Sequence, residues 1–105
     1  MSRSIRSAAE AEREGLLDGS KRAITRYLTS PPDLEYFVSG ADARVAMSLD
    51  LLRLGRQFAE ERQDEFGARP SKLRTERMSA YAKGFQQGAL KEIWNEIERQ
   101  KREVE

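Results

Sequence analysis

The chain has 105 residues, enough for one small domain around one hydrophobic core. Its 19 Lys and Arg nearly balance its 18 Asp and Glu, and a charged fraction of 35% beside 38% hydrophobic residues favours a small helical domain over a β-sandwich. There is no cysteine and no histidine. Disulfides, thiol nucleophiles, imidazole acid–base catalysis and zinc sites built on these residues are therefore excluded.

The N-terminal segment lacks the apolar core of a secretion signal, because Arg3 and Arg6 are followed by alanine and glutamate. No apolar run approaches the length of a membrane span, so we expect a cytoplasmic protein. Charge is spread evenly along the chain, with net +2, −3 and +2 over residues 1–30, 31–70 and 71–105. None of these segments is the dense basic field typical of nonspecific nucleic-acid binding.

The first predicted helix covers residues 4–28 of a single all-α domain spanning 1–105. Few of its apolar side chains are large, and Gly15 and Gly19 form a soft point, so residues 1–14 are expected to fray. Its apolar residues recur at helical spacing. They are Ile5, Ala8, Ala9, Leu16, Ala23, Ile24, Tyr27 and Leu28.

A short second helix, about 31–39, and a long third helix, 43–66, are predicted next. Ser30 and Pro31 are typical of a helix start, and Gly40 is typical of a helix end. The apolar residues of the long helix form a stripe so wide that we expect burial on more than one side. They are Val45, Met47, Leu49, Leu51, Leu52, Leu54, Phe58 and Ala59.

The last predicted helix begins at Ser71 or Thr75 and continues to about Arg102. Its apolar residues show the clearest 3.6-residue period in the chain. In residues 98–105 acidic and basic side chains alternate, which is typical of a solvated helical tail. Its apolar residues are Leu73, Ala80, Tyr81, Phe85, Ala89, Ile93 and Ile97. Together the elements predict a compact antiparallel bundle of three long helices and the short helix 31–39.

Gly84 and Gly88 lie four residues apart inside this last helix. A glycine in a helix interior costs about 1 kcal/mol relative to alanine, which points to a packing role in which another helix approaches closely. A phosphate-binding role is disfavoured, because no strand precedes them and no Walker-type Lys-Ser/Thr follows. We expect the two long C-terminal helices to pack as a hairpin through these glycines.

Pairs of carboxylates occur at helical spacing in Glu60-Glu61 with Asp64-Glu65, and in Glu92 with Glu96. Such pairs can hold a metal or share a proton when they are buried. Here they are interleaved with Arg and Lys, as is typical of solvated ion-pair faces. We expect neither a metal nor a cofactor.

A cluster of cations, Arg69, Lys72, Arg74 and Arg77, brackets the turn before the last helix. Four cations there could hold an anion, a nucleic-acid backbone or an acidic protein surface, or could serve solubility alone. The only tryptophan, Trp94, is interpreted in two ways. It is either a half-exposed anchor for a partner or a peripheral core residue against the first helix.

Without catalytic side chains the chain is not expected to be an enzyme. We expect a protein-interaction module, monomeric or homodimeric, that binds and occludes a partner protein. Phage and mobile-element accessory inhibitors of a host enzyme or defence complex have this character, and an anti-CRISPR-type inhibitor is the concrete example. The alternative is a small helical nucleic-acid-binding protein, which could act as a dimer.

The expected partner surface combines the four cations with Glu61, Glu65 and Trp94, since Arg and Trp are enriched at binding hot spots. Reversing the charges of Arg74 and Arg77 together is expected to weaken the partner complex and leave the fold intact.

Overall fold

The computed structural model describes residues 5–27 and 41–104, and four helices lie within them. They are α1 (Ala8–Tyr27), α2 (Ala41–Glu61), α3 (Gln63–Phe66) and α4 (Lys72–Val104). No strand occurs in these two stretches, and the predicted all-α bundle is confirmed. The short helix predicted over 31–39 lies outside the described residues.

Helix α4 is the spine of the molecule. Its 33 residues extend for about 50 Å at 1.5 Å per residue, which matches the 51 Å long axis of the protein. Both α1 and α2 pack on it. The backbone of Glu12 lies at Gly84 and that of Leu16 at Gly88. Because the residue numbers rise together, α1 and α4 run parallel.

Helix α2 runs antiparallel to α4. The side-chain amide of Gln86 donates to the carbonyl and hydroxyl oxygens of Ser48, at 2.8 Å each, whereas Gly55 lies against Ala82. The residue numbers run in opposite directions, so the bundle has an up-down-up course. Its two outer helices are joined through the central spine.

Four glycines form the contact between α1 and α4, and we call Gly15, Gly19, Gly84 and Gly88 the glycine seam. A Cβ placed on any of them would overlap a backbone carbonyl oxygen of the facing helix. The expectation that Gly84 and Gly88 join the two C-terminal helices is wrong, because they face α1. That pairing is possible because α1 has a matching pair of glycines at the same spacing.

The seam also sets the rotation of α1. Its buried positions include Ala11, Gly15 and Gly19, whereas Ala8 and Ala9 are exposed. At Ala8, Ala9 and Leu16 the predicted apolar stripe therefore does not mark the contact face of this helix, and the side chains of its members in residues 23–28 lie outside what the structure describes. The smallest residues are buried instead because only they allow the two backbones to touch.

The core lies between the three long helices and is dominated by aromatic rings. Phe66 meets Tyr81 edge-on with ring centroids 5.4 Å apart, and Phe58 meets Phe85 at 5.3 Å. The buried hydrophobic cluster consists of Ile5, Ala11, Leu51, Leu54, Ala59, Phe66, Tyr81, Phe85, Ala89 and Ile93.

The helix predicted over 43–66 is divided at Arg62. The Arg62 N–H is shared between the carbonyls of Phe58 and Ala59, at 3.2 Å each, and the Arg62 carbonyl accepts a tight bond from the Glu65 N–H at 2.9 Å. Gly67 then ends α3 with a φ of 154°, a conformation that side chains disfavour. The chain turns into α4, where the Ser71 hydroxyl accepts the N–H of Arg74 as a helix cap.

The described helices include no segment both apolar enough and long enough for a bilayer crossing.

Candidate partner-binding site

An ion cluster joins α1 to the end of α2. Arg62 donates to both carboxylate oxygens of Glu65, at 2.7 and 2.8 Å, and to Asp18 at 2.7 Å, and it lies 3.5 Å from Glu14. The Tyr81 hydroxyl also donates to Asp18. We call Glu14, Asp18, Arg62, Glu65 and Tyr81 the Arg62 cluster. The Arg62 side chain is 23% exposed, so these charges are half-buried where α1 meets the end of α2 and do not form a fully solvated face.

The cluster shifts the proton affinities of its members. The hydrogen-bonded Arg62 guanidinium lowers the pKa of Glu65, and Glu65 in turn raises the pKa of Arg62. Burial raises the pKa of the Tyr81 hydroxyl, and its bond to Asp18 acts in the same direction. At neutral pH the three carboxylates are held around one cation, which is why Glu65 is poorly placed to meet a partner.

Acid is expected to weaken the fold through Glu65. Because its folded-state pKa lies below the ordinary value of 4.5, its stabilising contribution is complete above that pH and is lost as the pH falls through the folded value. Urea denaturation at about pH 7 and about pH 3 measures the loss. Glu65→Gln should be less stable at neutral pH and lose less on acidification. Equal losses in the two proteins would contradict this assignment.

Two arginines of the predicted cation cluster, Arg74 and Arg77, donate hydrogen bonds to backbone carbonyls of the fold. Arg77 is half-buried, and its guanidinium Nη1 donates to the carbonyls of Ile5 at 3.4 Å and Phe66 at 3.2 Å. Arg74 donates to the carbonyl of Gly67 at 3.4 Å. Reversing the charge of Arg77 would therefore disturb the fold itself, contrary to the expectation that folding survives.

The bond from Arg77 also holds Ile5, in the segment that precedes α1. Ile5 is buried, and its N–H donates to the Glu65 carbonyl at 2.8 Å. Both contacts hold the segment before α1 against the end of α3. Of the residues 1–14 that were expected to fray, the structure describes 5–14.

An open groove of about 540 Å³ lies where the end of α2 meets the start of α4, and we call it the α2–α4 groove. Two arginines, one glutamate and two hydroxyls stand around an apolar floor of alanine and methionine. The lining residues are Arg56, Ala59, Glu60, Gln63, Pro70, Arg74, Thr75, Met78 and Ser79.

The cations of this groove are available for a ligand. Arg56 is exposed, and its guanidinium has no hydrogen bond or ion pair with any residue that the structure describes. The guanidinium of the half-buried Arg74 has only its 3.4 Å bond to the Gly67 carbonyl. Glu60 is exposed and is not ion-paired within the described stretches either. The groove therefore presents two guanidinium groups and one carboxylate, a net positive charge.

An apolar flank of α2 leads to the groove. Residues 45, 49, 52 and 56 follow helical spacing, so Val45 and Leu49 lie on the same side of the helix as Arg56. Val45 is 59% exposed and Leu49 is 62% exposed. The expectation that the wide apolar stripe is buried on both sides is therefore wrong for this row. We call Val45, Leu49 and the half-buried Leu52 the α2 flank.

Of the remaining predicted site residues, Trp94 lies far from the others on α4. Arg69 and Lys72 are exposed at the turn, and Glu61 is exposed at the end of α2. Trp94 is 38% exposed and lies about 30 Å along α4 from Arg74, because 20 residues separate them. A single compact surface cannot contain both.

Sequence reasoning missed Arg56 as a site residue. Its signal was its place on the row that begins with Val45 and Leu49, since residues at this helical spacing share one face of a helix. In residues 5–27 and 41–104, no group of three acidic side chains is arranged to hold a metal ion.

The chain matches no protein-family model, and neither the curated proteins nor the solved structures include one that is significantly similar. Its function therefore has to be inferred from the site.

Proposed function

We propose that this chain is a non-enzymatic protein-interaction module that acts by binding and occluding a cytoplasmic protein partner. The observation that carries the proposal is the α2–α4 groove, where two arginines without a carboxylate partner among the described residues stand over an apolar floor. Hot spots combine such cations with desolvated apolar contacts, and arginine is enriched among them. The composition supports a binding role as well, since the chain has no histidine or cysteine for nucleophilic catalysis.

The class of partner that we propose is a host enzyme or a defence complex, with anti-CRISPR-type inhibition as the concrete example. A small chain that occludes a partner needs a rigid framework so that little entropy is lost on binding. The glycine seam and the Arg62 cluster, which hold α1 against the rest of the bundle, supply such a framework. The walls of the groove come from the helices α2 and α4 and the ends beside them.

A comparison of immobilised variants tests the function. The wild-type chain, the double variant Arg56→Glu/Arg74→Glu and the control Arg13→Glu/Lys91→Glu are exposed to lysate of the source organism, and bound proteins are quantified by mass spectrometry. Arg13 and Lys91 are exposed and lie away from the groove, so the control has the same change in net charge. We expect a protein that the wild type and the control retain, and that the groove variant loses by at least about tenfold.

The captured protein is then purified and its Kd is measured by calorimetry against all three chains. Thermal melting of each variant checks that folding is intact. If every captured protein binds the groove variant as well as the wild type, the groove is not the binding surface. Trp94→Ala is measured as a further variant. If it loses the partner and the groove variant does not, the binding surface lies on the C-terminal part of α4, around Trp94.

A further inference from the structure

The α2–α4 groove and the α2 flank form one continuous strip, and its chemistry changes along its length. At one end Val45 and Leu49 expose aliphatic side chains, and at the other end the exposed Arg56 and the half-buried Arg74 line the groove with guanidinium groups. Residues 45 and 56 are separated by about 16 Å along the helix axis. A ligand that satisfies the whole strip must therefore be apolar at one end and anionic at the other.

The groove end fits a carboxylate. A guanidinium group presents paired donors that match the two oxygens of a carboxylate, and Arg56 and Arg74 come from opposite walls. The Ser79 hydroxyl and the Gln63 amide in the same lining add uncharged donors. Met78 and Ala59 form an apolar floor, and the flexible thioether of Met78 can adapt to the stem of an acidic side chain.

The surroundings of the groove disfavour a polyphosphate ligand. Glu60 lies in the lining, and Glu61 and Asp64 are exposed close by in sequence. These three carboxylates would repel a nucleic-acid backbone, which needs several neighbouring cations to displace its counterions. One or two carboxylates held between two arginines can avoid that repulsion, because a peptide carries far fewer charges per length.

We propose that the strip binds an acidic amphipathic segment of the partner protein, with its apolar side chains on the α2 flank and its Asp or Glu side chains in the α2–α4 groove. The proposal rests on the proposed function as a protein-interaction module. It adds the chemistry of the ligand, namely carboxylates and, about three helical turns away in either direction, aliphatic or aromatic groups.

A peptide selection tests the ligand chemistry without knowledge of the partner. A phage-displayed library of random peptides of about 12 residues, long enough to span the strip as a helix, is selected on the full-length wild-type chain. We expect the enriched peptides to contain more Asp and Glu than the unselected library, together with apolar residues at i, i+3 or i+4 spacing. Synthetic fluorescent copies of the enriched peptides are then titrated by anisotropy.

The variants show whether the acidic part of the peptide binds in the α2–α4 groove and the apolar part on the α2 flank. Arg56→Glu/Arg74→Glu should weaken binding at least about tenfold, and Val45→Ser/Leu49→Ser at least about threefold, whereas Arg13→Glu/Lys91→Glu should stay within about twofold. Enriched peptides without acidic residues, or peptides that bind the groove variant as tightly as the wild type, would overturn the proposal. So would a random-sequence duplex DNA that binds the wild type and displaces the peptides.

The two failures can be told apart. If the lysate experiment finds a partner that needs the groove but the selected peptides are not acidic, the interaction function stands and the ligand chemistry is wrong. If acidic peptides bind in the groove but no cellular protein depends on it, the ligand chemistry stands and the proposed function fails.

Discussion

A leucine in place of Gly84 is expected to lower the free energy of unfolding by about 3 kcal/mol or more. A Cβ at this position would overlap the carbonyl oxygen of Glu12 and would lie 2.9 Å from its carbonyl carbon. Both obstacles are backbone atoms, so no side-chain rotation can relieve the overlap, and α1 must move away from α4. Urea denaturation followed by circular dichroism measures the loss.

Gly84→Ala gives the sharper test because two effects have opposite signs. Helix propensity alone predicts that alanine stabilises the helix by about 1 kcal/mol, whereas the glycine seam predicts a loss. Gly55→Ala is the matched control, since its Cβ would stand 2.9 Å from the Ala82 carbonyl oxygen, a less severe contact. We expect a smaller loss there. A gain in stability for Gly84→Ala would contradict the close approach of α1 and α4.

Removal of the Arg62 cation by Arg62→Met is expected to cost about 2 kcal/mol of stability at neutral pH. Methionine keeps much of the apolar stem, but the carboxylates of Glu14, Asp18 and Glu65 then face one another without a cation. The value is lower than for a fully buried pair because the side chain remains 23% exposed. Arg53→Met is the control, since Arg53 pairs with Asp50 at the surface and should change stability by less than about 1 kcal/mol.

The pH dependence of the Arg62→Met deficit identifies its cause. Without the cation, mutual repulsion favours the protonated carboxyl groups in the folded state, so acid should relieve the destabilisation. The difference in free energy of unfolding between wild type and variant should shrink between about pH 7 and about pH 4. A deficit that does not change over this range would point to lost packing and not to uncompensated charge.

Sequence reasoning by itself determined the helical character of this protein and most of the helix limits. The helix starts and ends depend on local chemistry, such as the Ser71 hydroxyl that caps α4 and the positive φ at Gly67 that ends α3. The unfavourable propensity of Gly84 and Gly88 also indicated that another helix approaches them. These features involve residues within a few positions of one another, so a sequence displays them directly.

Only the tertiary structure decided which helix meets the glycines and which apolar row stays exposed. A 3.6-residue period defines a face of a helix but does not say what covers it, which is why Val45 and Leu49 were expected to be buried. Between residues 8 and 22 the contact face of α1 carries Ala11, Gly15 and Gly19 but no large apolar side chain, since backbone approach through glycine replaces side-chain packing there.

The candidate site also combines residues that the sequence indicates with residues that only the tertiary structure brings together. The sequence displays Arg74 as one cation of a cluster, but its neighbour in the groove, Arg56, comes from another helix 18 residues earlier in the chain. Arg62 and Asp18 are likewise 44 residues apart and meet only because α1 and α2 pack on the same spine. Charges that pair across helices are partly removed from water, and how far they are removed depends on how the helices assemble.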